Sequence, residues 1–318
     1  MTDHASTRAR SWLFTPATRP DRFAKAAAVG ADVLILDLED SVAPDAKDEA
    51  RANVAAALQT GDWGGKVRSV RVNGATTRWA YRDVADVVER AGQQLDTLIL
   101  PKVTGPDHVA WLDLLLGQVE QAAGLPPGGI GIEAQIEDAA GLAGVEQIAG
   151  CSARLEALVF GPADFMASLG MRSLEIGAQP AGYAGGDAFH YPHLRILVAA
   201  RAHGLQAIDG PFAAIGDADG LRRSATSAAA LGYDGKWVIH PGQIEIVNDA
   251  FSPTQADYDR AELILEAYEY YTSVRKRGAV SLDGEMIDEA SRKLALTAAA
   301  RGRAAGLERT SRFRPPDY

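Results

Sequence analysis

The chain has 318 residues, 47% of them hydrophobic and 23% charged, which is typical of a soluble globular protein and long enough for one large barrel or two ordinary domains. Its 42 acidic residues outnumber 32 basic ones and give a net charge of −10, which argues against nucleic acid or an anionic membrane as a partner. The single cysteine, Cys151, excludes an intramolecular disulfide and favours a reducing compartment.

The N-terminal segment has no apolar core of the kind that a signal peptide needs, and no window holds eighteen consecutive apolar residues. These two features predict a cytoplasmic protein without a membrane span.

Eight short β-type runs follow one another along the chain, most of them followed by a helical pattern. Their spacing is about 32 residues, close to the size of one strand–helix unit. The second run, VLIL at residues 33–36, is continuously apolar, which is typical of a strand buried on both faces of a parallel sheet. The eight runs lie at residues 11–15, 33–40, 67–72, 97–100, 130–137, 157–160, 206–209 and 236–239.

Helical spacing of apolar residues predicts helices at 44–58, 81–91 and 107–123. Eight strands that alternate with helices indicate a (β/α)₈ TIM barrel, with a doubly wound open sheet as the alternative. We therefore expect a catalytic barrel domain over residues 1–250.

The remainder, residues 251–318, is predicted to be a helical extension. Helical patterns at 253–277 and 287–307 flank a loop or short hairpin at 278–284. This extension either packs on the outside of the barrel or acts as a lid that reaches over a site, including one on a neighbouring subunit.

Polar residues collect where the predicted strands end. Asp37, Glu39 and Asp40 close the second run, Arg71 and Asn73 the third, and Lys102 follows the fourth. In a parallel barrel the carboxyl ends of all strands share one rim, where ligands bind. We expect Arg71 to pair with Glu39 or Asp40, either as part of a site or as a purely structural ion pair.

The fifth and sixth strand ends supply Glu137 and Asp164, two carboxylates that suit Mg²⁺. The alternative is that both residues cap helices. Glu133 shares the face of Glu137 and is expected to pair with a basic residue deeper in the barrel. Arg19 and Lys25, after the first strand, are candidates for binding phosphates, or else belong to an ordinary solvated helix start.

Several other kinds of site lack support in the sequence. Zinc-ligand spacings, dinucleotide-binding and P-loop glycine patterns and the nucleophile-elbow motif are absent. His190 and His193 are expected at the surface, and Cys151 has no evident base that would make it a nucleophile.

Taken in order, eight segments resemble the citrate lyase β-subunit (CitE-like) family within the HpcH/HpaI aldolases, near the malyl-CoA and citramalyl-CoA lyases. Each segment alone is weak, but the ordered set spans nearly the whole chain. The segments are LDLEDSV (36–42), SVRVNG (69–74), LPKV (100–103), QIEDAAG (135–141), FGPADF (160–165), AIDGP (207–211), GKWVIHP (235–241) and GEMID (284–288).

The resemblance implies a TIM barrel with Mg²⁺ held by Glu137 and Asp164, and with Arg71 at the substrate oxygen where negative charge develops. It also implies that Asp288 is the acid/base and is delivered from an adjacent subunit of a trimer or hexamer. Glu39 and Asp40 are included in the catalytic set.

The implied reaction is cleavage of a 3-hydroxyacyl-CoA into an acyl-CoA and a 2-keto acid. Malyl-CoA or β-methylmalyl-CoA would give glyoxylate, and citramalyl-CoA would give pyruvate. The alternatives are a citryl-carrier-protein subunit of a citrate lyase complex, a pyruvate aldolase of the same superfamily, and a non-catalytic barrel that binds CoA or a metabolite.

Overall fold

The computed structural model describes residues 9–315, and the eight predicted strands form the sheet at its centre. All eight run parallel, each pairs with the next, and β8 pairs with β1, so the sheet closes into a barrel. The predicted TIM barrel is confirmed. Its strands are β1 (Ser11–Pro16), β2 (Val33–Asp37), β3 (Val67–Arg71), β4 (Thr97–Leu100), β5 (Gly131–Ile136), β6 (Leu155–Phe160), β7 (Gln206–Asp209) and β8 (Gly235–Val238).

Helices connect the strands and form the outer layer. The predicted helices at 81–91 and 107–123 correspond to α3 (Ala80–Ala91) and α4 (Pro106–Ala122). The one at 44–58 opens as a 3-10 turn at Pro44–Ala46 before it becomes α2 (Lys47–Thr60). The barrel helices are α1 (Phe23–Ala28), α2 (Lys47–Thr60), α3 (Ala80–Ala91), α4 (Pro106–Ala122), α5 (Ala139–Ala143), α6 (Val145–Ala149), α7 (Pro162–Ser168), α8 (His190–Ala202), α9 (Ala218–Leu231) and α10 (Ile244–Phe251).

Side chains alternate between the two faces of each strand, and this alternation separates two apolar cores. Outward-facing residues such as Leu34 and Leu158 join the large core between sheet and helices. The interior of the barrel is filled by a second, smaller core, so it is packed rather than open. This inner core consists of Trp12, Val33, Ile35, Ile99, Ala157, Val159, Ile208 and Trp237.

The described part of the chain divides into two compact units, residues 9–251 and 252–315. The second unit contains α11 (Gln255–Ser273), a hairpin of β9 (Val280–Leu282) and β10 (Glu285–Ile287), and α12 (Glu289–Ala304). The predicted loop or hairpin is therefore a hairpin, and its turn at Asp283 and Gly284 has positive φ at both residues.

The two long helices of this C-terminal unit pack closely. Tyr258 and Ala261 of α11 form a buried cluster with Ala295 and Ala299 of α12. A Cβ atom at Gly302 would lie 2.2 Å from the Tyr258 ring, so glycine permits this close approach. Within residues 9–315, no helix combines the length and apolarity needed to cross a bilayer. The cytoplasmic location stays a prediction.

Candidate active site

Arg71 lies at the carboxyl end of β3 with its side chain inside the barrel, and the residue is 7% exposed. The register pairs it with Asp37 at the end of β2; its Nε donates to Asp37 Oδ1 at 2.5 Å, and its Nη1 lies 3.0 Å from Glu39 Oε2. The guanidinium carbon also lies 5.1 Å from the centre of the Phe14 ring and 5.5 Å from that of Trp237. Burial opposes the charge, but the carboxylates of Asp37 and Glu39 raise the pKa of Arg71, so it remains a fixed cation.

The expected pairing of Arg71 with Glu39 or Asp40 is confirmed for Glu39, and Asp37 is a second partner that was not expected. The β2 strand ends at Asp37, so strand alternation places Asp37 beside Arg71, whereas Asp40 lies beyond the strand on the exposed rim. Asp40 contacts Lys102 instead. Burial raises the pKa of Glu39, although the neighbouring positive charges of Arg71 and Lys102 act in the opposite direction.

Lys102, in the loop after β4, connects several parts of this rim. Its Nζ donates to Glu39 Oε1 at 2.5 Å and to Asp40 Oδ1 at 3.1 Å, and its backbone N–H donates to Glu137 Oε1 at 2.7 Å. The sequence showed Lys102 only as a polar residue after a strand. The signal that could have identified it is a basic residue after β4, at the same rim as the carboxylates that follow β2 and β5.

Glu137 immediately follows β5 and is 2% exposed. Its second oxygen accepts a hydrogen bond from Gln135 Nε2 at 2.6 Å. Burial, followed by the nearby charges of Glu39 and Asp164, raises the pKa of Glu137 to about 8. The carboxylates at this rim therefore exceed the positive charge that the chain itself supplies there.

Asp164 is half-buried in the first turn of α7. The alternative that Glu137 and Asp164 cap helices is wrong, because Asp138 caps α5 by accepting from the Gly141 N–H, and the N-cap of α7 is Gly161. A Cβ atom at Gly161 would lie 2.4 Å from Glu137 Oε2, so the glycine leaves room for that carboxylate.

The donor set fits magnesium. Mg²⁺ prefers carboxylate and water oxygens and is often held by only one or two protein carboxylates. Within residues 9–315, no group of three His, Cys, Asp or Glu side chains forms a complete metal cage. A cation at Glu137 and Asp164 would thus keep most of its coordination for water or substrate oxygens. Its charge would also favour the ionised form of Glu137, which burial and the nearby charges of Glu39 and Asp164 disfavour.

Glu133 lies deeper in the barrel, and the expectation that it pairs with a basic residue is wrong. Its Oε1 accepts hydrogen bonds from the hydroxyls of Thr97 at 2.6 Å and Ser69 at 3.2 Å. Burial raises the pKa of Glu133 to about 8, so near neutral pH the group is mostly protonated. Protonation, rather than an ion pair, is how this buried carboxyl avoids an uncompensated charge.

Arg19 and Lys25 both lie on the exposed segment after β1. Arg19 Nε donates to Asp21 Oδ1 at 2.9 Å, and both side chains are about half exposed. Lys25 is exposed in α1. Neither residue contacts the Arg71 network, and either can reach solvent; their assignment to phosphates remains a prediction.

Asp288 belongs to the C-terminal unit, where it is the N-cap of α12. Its Oδ1 accepts from the N–H groups of Ala290 at 2.9 Å and Ser291 at 3.1 Å, and these bonds lower its pKa. An acid that works near neutral pH needs a raised pKa instead. The surroundings of Asp288 within its own chain do not supply that shift.

His193 was expected at the surface, and this is wrong. It lies in α8, facing the outer side of the barrel wall, where its Nε2 is 3.0 Å from Asp209 Oδ1; Lys236 Nζ donates to Asp209 Oδ2 at 2.5 Å. Burial alone would raise the pKa of Asp209, but Lys236 and His193 hold it well below its usual range. His190 is exposed, as expected.

A cavity of about 550 Å³ adjoins this outer cluster. Among the described residues, its walls include Phe160, Phe189, Phe212 and Arg223 but none of the rim residues Arg71, Glu137 and Asp164. The cavity is therefore separate from the rim network.

The fold and rim define a TIM-barrel protein in which a buried arginine lies among crowded carboxylates, an arrangement suited to stabilising negative charge on a substrate oxygen. A sequence profile of the HpcH/HpaI aldolase/citrate lyase family matches residues 10–241. The chain belongs to this family.

Individual relatives agree with the family assignment. An L-malyl-CoA/beta-methylmalyl-CoA lyase of Cereibacter sphaeroides is 43% identical over 294 residues, which cover 90% of this chain and 92% of that protein. A malyl-CoA/beta-methylmalyl-CoA/citramalyl-CoA lyase of Chloroflexus aurantiacus is 34% identical, with 83% and 78% covered. The crystal structure of CitE from Mycobacterium tuberculosis, in complex with magnesium, acetoacetate and coenzyme A, superposes with a TM-score of 0.74 at 33% identity and covers 95% of this chain and 99% of that one.

Proposed function

We propose that this protein is a Mg²⁺-dependent carbon–carbon lyase that cleaves a 3-hydroxyacyl-CoA into an acyl-CoA and a 2-keto acid. Malyl-CoA or β-methylmalyl-CoA, with glyoxylate as the product, is the first choice, because the 43% identical relative carries that name. Citramalyl-CoA, with pyruvate as the product, is the second, since it appears in the name of the 34% identical relative.

One observation carries the proposal: the buried Arg71, held by Asp37 and Glu39, shares the barrel rim with the carboxylates of Glu137 and Asp164. Bound at these two residues, Mg²⁺ would act as a Lewis acid and template for the carboxylate and hydroxyl of the departing keto acid. Gly161 supports this assignment, because a Cβ atom at that position would collide with Glu137 Oε2.

Arg71 would stabilise the thioester enolate. When the C2–C3 bond breaks, the C3 hydroxyl passes its proton to the acid/base carboxylate, for which Asp288 is the candidate. The bonding electrons move onto the thioester, so negative charge develops on its carbonyl oxygen. Arg71 is held by Asp37 and Glu39 before the reaction begins, which removes the cost of orienting it. Loss of one such donor typically lowers the rate on the order of 10²–10³-fold.

The enolate carbon then needs a proton, and Asp288 is the proposed donor. Asp288 as seen in its own chain has a lowered pKa. We therefore propose that a neighbouring subunit of a trimer or hexamer surrounds it and raises its pKa through burial near other carboxylates. Arg19 and Lys25 are the proposed contacts of the CoA phosphates.

A substrate panel tests the proposal. The purified chain is incubated with malyl-CoA, β-methylmalyl-CoA and citramalyl-CoA, each with Mg²⁺ or with a chelator. Glyoxylate, pyruvate, the acyl-CoA product, malate and free CoA are quantified. We expect a keto acid and an acyl-CoA in equal amounts, only with Mg²⁺. Release of malate and free CoA without glyoxylate would instead indicate thioester hydrolysis and contradict the proposal.

Two further arms separate the related activities. Citryl thioester on a phosphopantetheine carrier protein tests for a citrate lyase subunit, and a free hydroxy-keto acid tests for a pyruvate aldolase. Turnover limited to either of these substrates would replace the CoA-ester assignment.

A further inference from the structure

The backbone of Lys102 adopts an unusual conformation beside Glu137, a proposed metal ligand. Its φ is 54°, in the left-handed region that residues with a side chain rarely occupy. Outside the C-terminal unit, it is the only non-glycine residue of the described chain with positive φ. Strained backbone of this kind persists where the surrounding structure requires it.

The conformation directs the Lys102 N–H at Glu137 Oε1, at 2.7 Å. The next residue, Val103, donates its N–H to the carbonyl of Gln135 at 3.3 Å, so the loop after β4 is tied to the end of β5 at two consecutive positions. With Gln135 Nε2 on its other oxygen, the Glu137 carboxylate is held in one orientation. Such outer contacts set the geometry of a metal-binding carboxylate.

The side chain of Lys102 contacts Glu39, on the part of the rim that holds Arg71. Its Nζ donates to Glu39 Oε1 at 2.5 Å, while Glu39 Oε2 lies 3.0 Å from Arg71 Nη1. Glu39 is buried, and its two carboxylate oxygens contact different cations, Lys102 and Arg71. Without the ammonium group, this carboxylate would lose the hydrogen bond on Oε1 and its orientation toward Arg71 would relax.

We propose that Lys102 is a positioning residue that aligns the two halves of the reaction centre: its backbone N–H orients Glu137, and its ammonium group orients Arg71 through Glu39. The inference rests on the proposed lyase function. Lys102 itself need not touch substrate, and its two contributions come from different atoms, so they can be separated by substitution.

Two substitutions make this separation. Lys102→Gly removes the ammonium group, but glycine occupies positive φ readily and keeps the N–H on Glu137. Lys102→Ala also removes the ammonium group but keeps a Cβ atom, so the left-handed conformation stays disfavoured, as it is for lysine, while the contacts of the ammonium group no longer help to hold it. The difference between the variants therefore reports the backbone contribution, and Lys102→Arg tests rescue by another cation.

The measurements are Mg²⁺ affinity by titration calorimetry, kcat and KM, and crystal structures of both variants. We expect Lys102→Gly to bind Mg²⁺ within about twofold of the wild type while kcat falls about tenfold, and Lys102→Ala to bind Mg²⁺ roughly tenfold more weakly. Lys102→Arg should recover part of kcat. Equal Mg²⁺ affinity in the Gly and Ala variants, or wild-type kcat in both, would overturn the inference.

Lys276 provides a matched control, because it is also a lysine with positive φ, at 56°, in the C-terminal unit. Lys276→Ala and Lys276→Gly should leave Mg²⁺ affinity unchanged; a loss equal to that of Lys102→Ala would mean that strain alone explains the effect.

The crystal structures distinguish this inference from the proposed function. A Glu137 side chain that turns away in Lys102→Ala but stays in place in Lys102→Gly supports the positioning role even if no CoA ester is cleaved. A Glu137 side chain unmoved in both variants overturns the positioning role even if the wild type is an active lyase.

Discussion

Two buried ionic clusters lie on opposite faces of the same barrel wall, and their charge balance differs. On the outer face, Asp209 is matched by Lys236 and His193, and its pKa is held low. At the inner rim, acidic side chains outnumber basic ones, and the pKa of Glu137 rises to about 8. The acidic side chains of the rim are Asp37, Glu39, Asp40, Glu137 and Asp164, against Arg71, Lys102 and Lys47, whose Nζ donates to the carbonyl of Glu39.

The difference separates a cluster that stabilises the fold from one that is prepared for a ligand. A balanced buried cluster holds its groups in place and gains nothing from an added ion. An unbalanced one is costly by itself and becomes favourable when a cation binds. Substitutions in the two clusters should therefore have opposite signatures: loss of stability on the outer face and loss of activity at the rim.

The largest expected effect is on activity, from Glu137→Gln. The amide keeps the shape of the side chain but is a poor ligand for Mg²⁺, so turnover should fall by about 10³-fold or more, equivalent to several kcal/mol of lost metal stabilisation. Stability to urea should stay the same or increase, because a buried acid repelled by its neighbours is removed. Turnover within tenfold of the wild type would contradict the assignment of Glu137 as a ligand.

The matching change on the outer face is Asp209→Asn. It leaves Lys236 buried without its carboxylate, so the free energy of unfolding should fall by about 3–5 kcal/mol. The activity of the folded fraction should change little, as neither residue belongs to the rim network. Urea unfolding gives the first quantity and keto acid release well below the melting temperature gives the second. A stable but inactive Asp209→Asn variant would contradict the prediction, because it would mean that the outer cluster serves activity rather than stability.

Arg71→Lys tests the electrostatic role inside the rim. Lysine keeps the charge but loses the planar geometry that reaches Asp37 and Glu39 together. We expect kcat to fall about 10²-fold with a smaller change in KM, because the interaction is made with the enolate rather than with the bound thioester. A change confined to KM would assign Arg71 to substrate binding alone.

The last prediction concerns the pH dependence of stability and comes from Glu133→Gln. Because the folded state raises the pKa of Glu133 to about 8, the folded chain keeps a proton that the unfolded chain releases above its ordinary value. Stability should therefore fall as pH rises from about 5 to about 8, by up to about 1.4 kcal/mol per pH unit for one proton. Glutamine cannot titrate, so urea unfolding of the variant at several pH values should show a shallower slope; an unchanged slope would mean that Glu133 is already ionised.

The sequence was sufficient for the barrel because the strands are short, recur at regular spacing between helical segments and end in polar residues. The pairing of Arg71 with Glu39 was predictable from neighbouring strand ends. The contact of Arg71 with Asp37 was not predictable, because it depends on the residue at which β2 ends and on the register between β2 and β3.

Two other features depend on conformations that the sequence does not signal. The left-handed backbone of Lys102 occurs at a residue with no preference for it, so the hydrogen bond to Glu137 could not be foreseen. The position of His193 depends on where α8 begins, and residues 169–189 before it form turns and bends with no helical period to extrapolate.

The most direct test is to locate the cation. Crystals grown with Mn²⁺, which has oxygen ligands in common with Mg²⁺ and scatters anomalously, can be examined for a peak in the anomalous difference map. The account predicts one strong peak per chain within coordination distance of carboxylate oxygens of both Glu137 and Asp164. Strong peaks only elsewhere, with these two side chains directed apart, would contradict it.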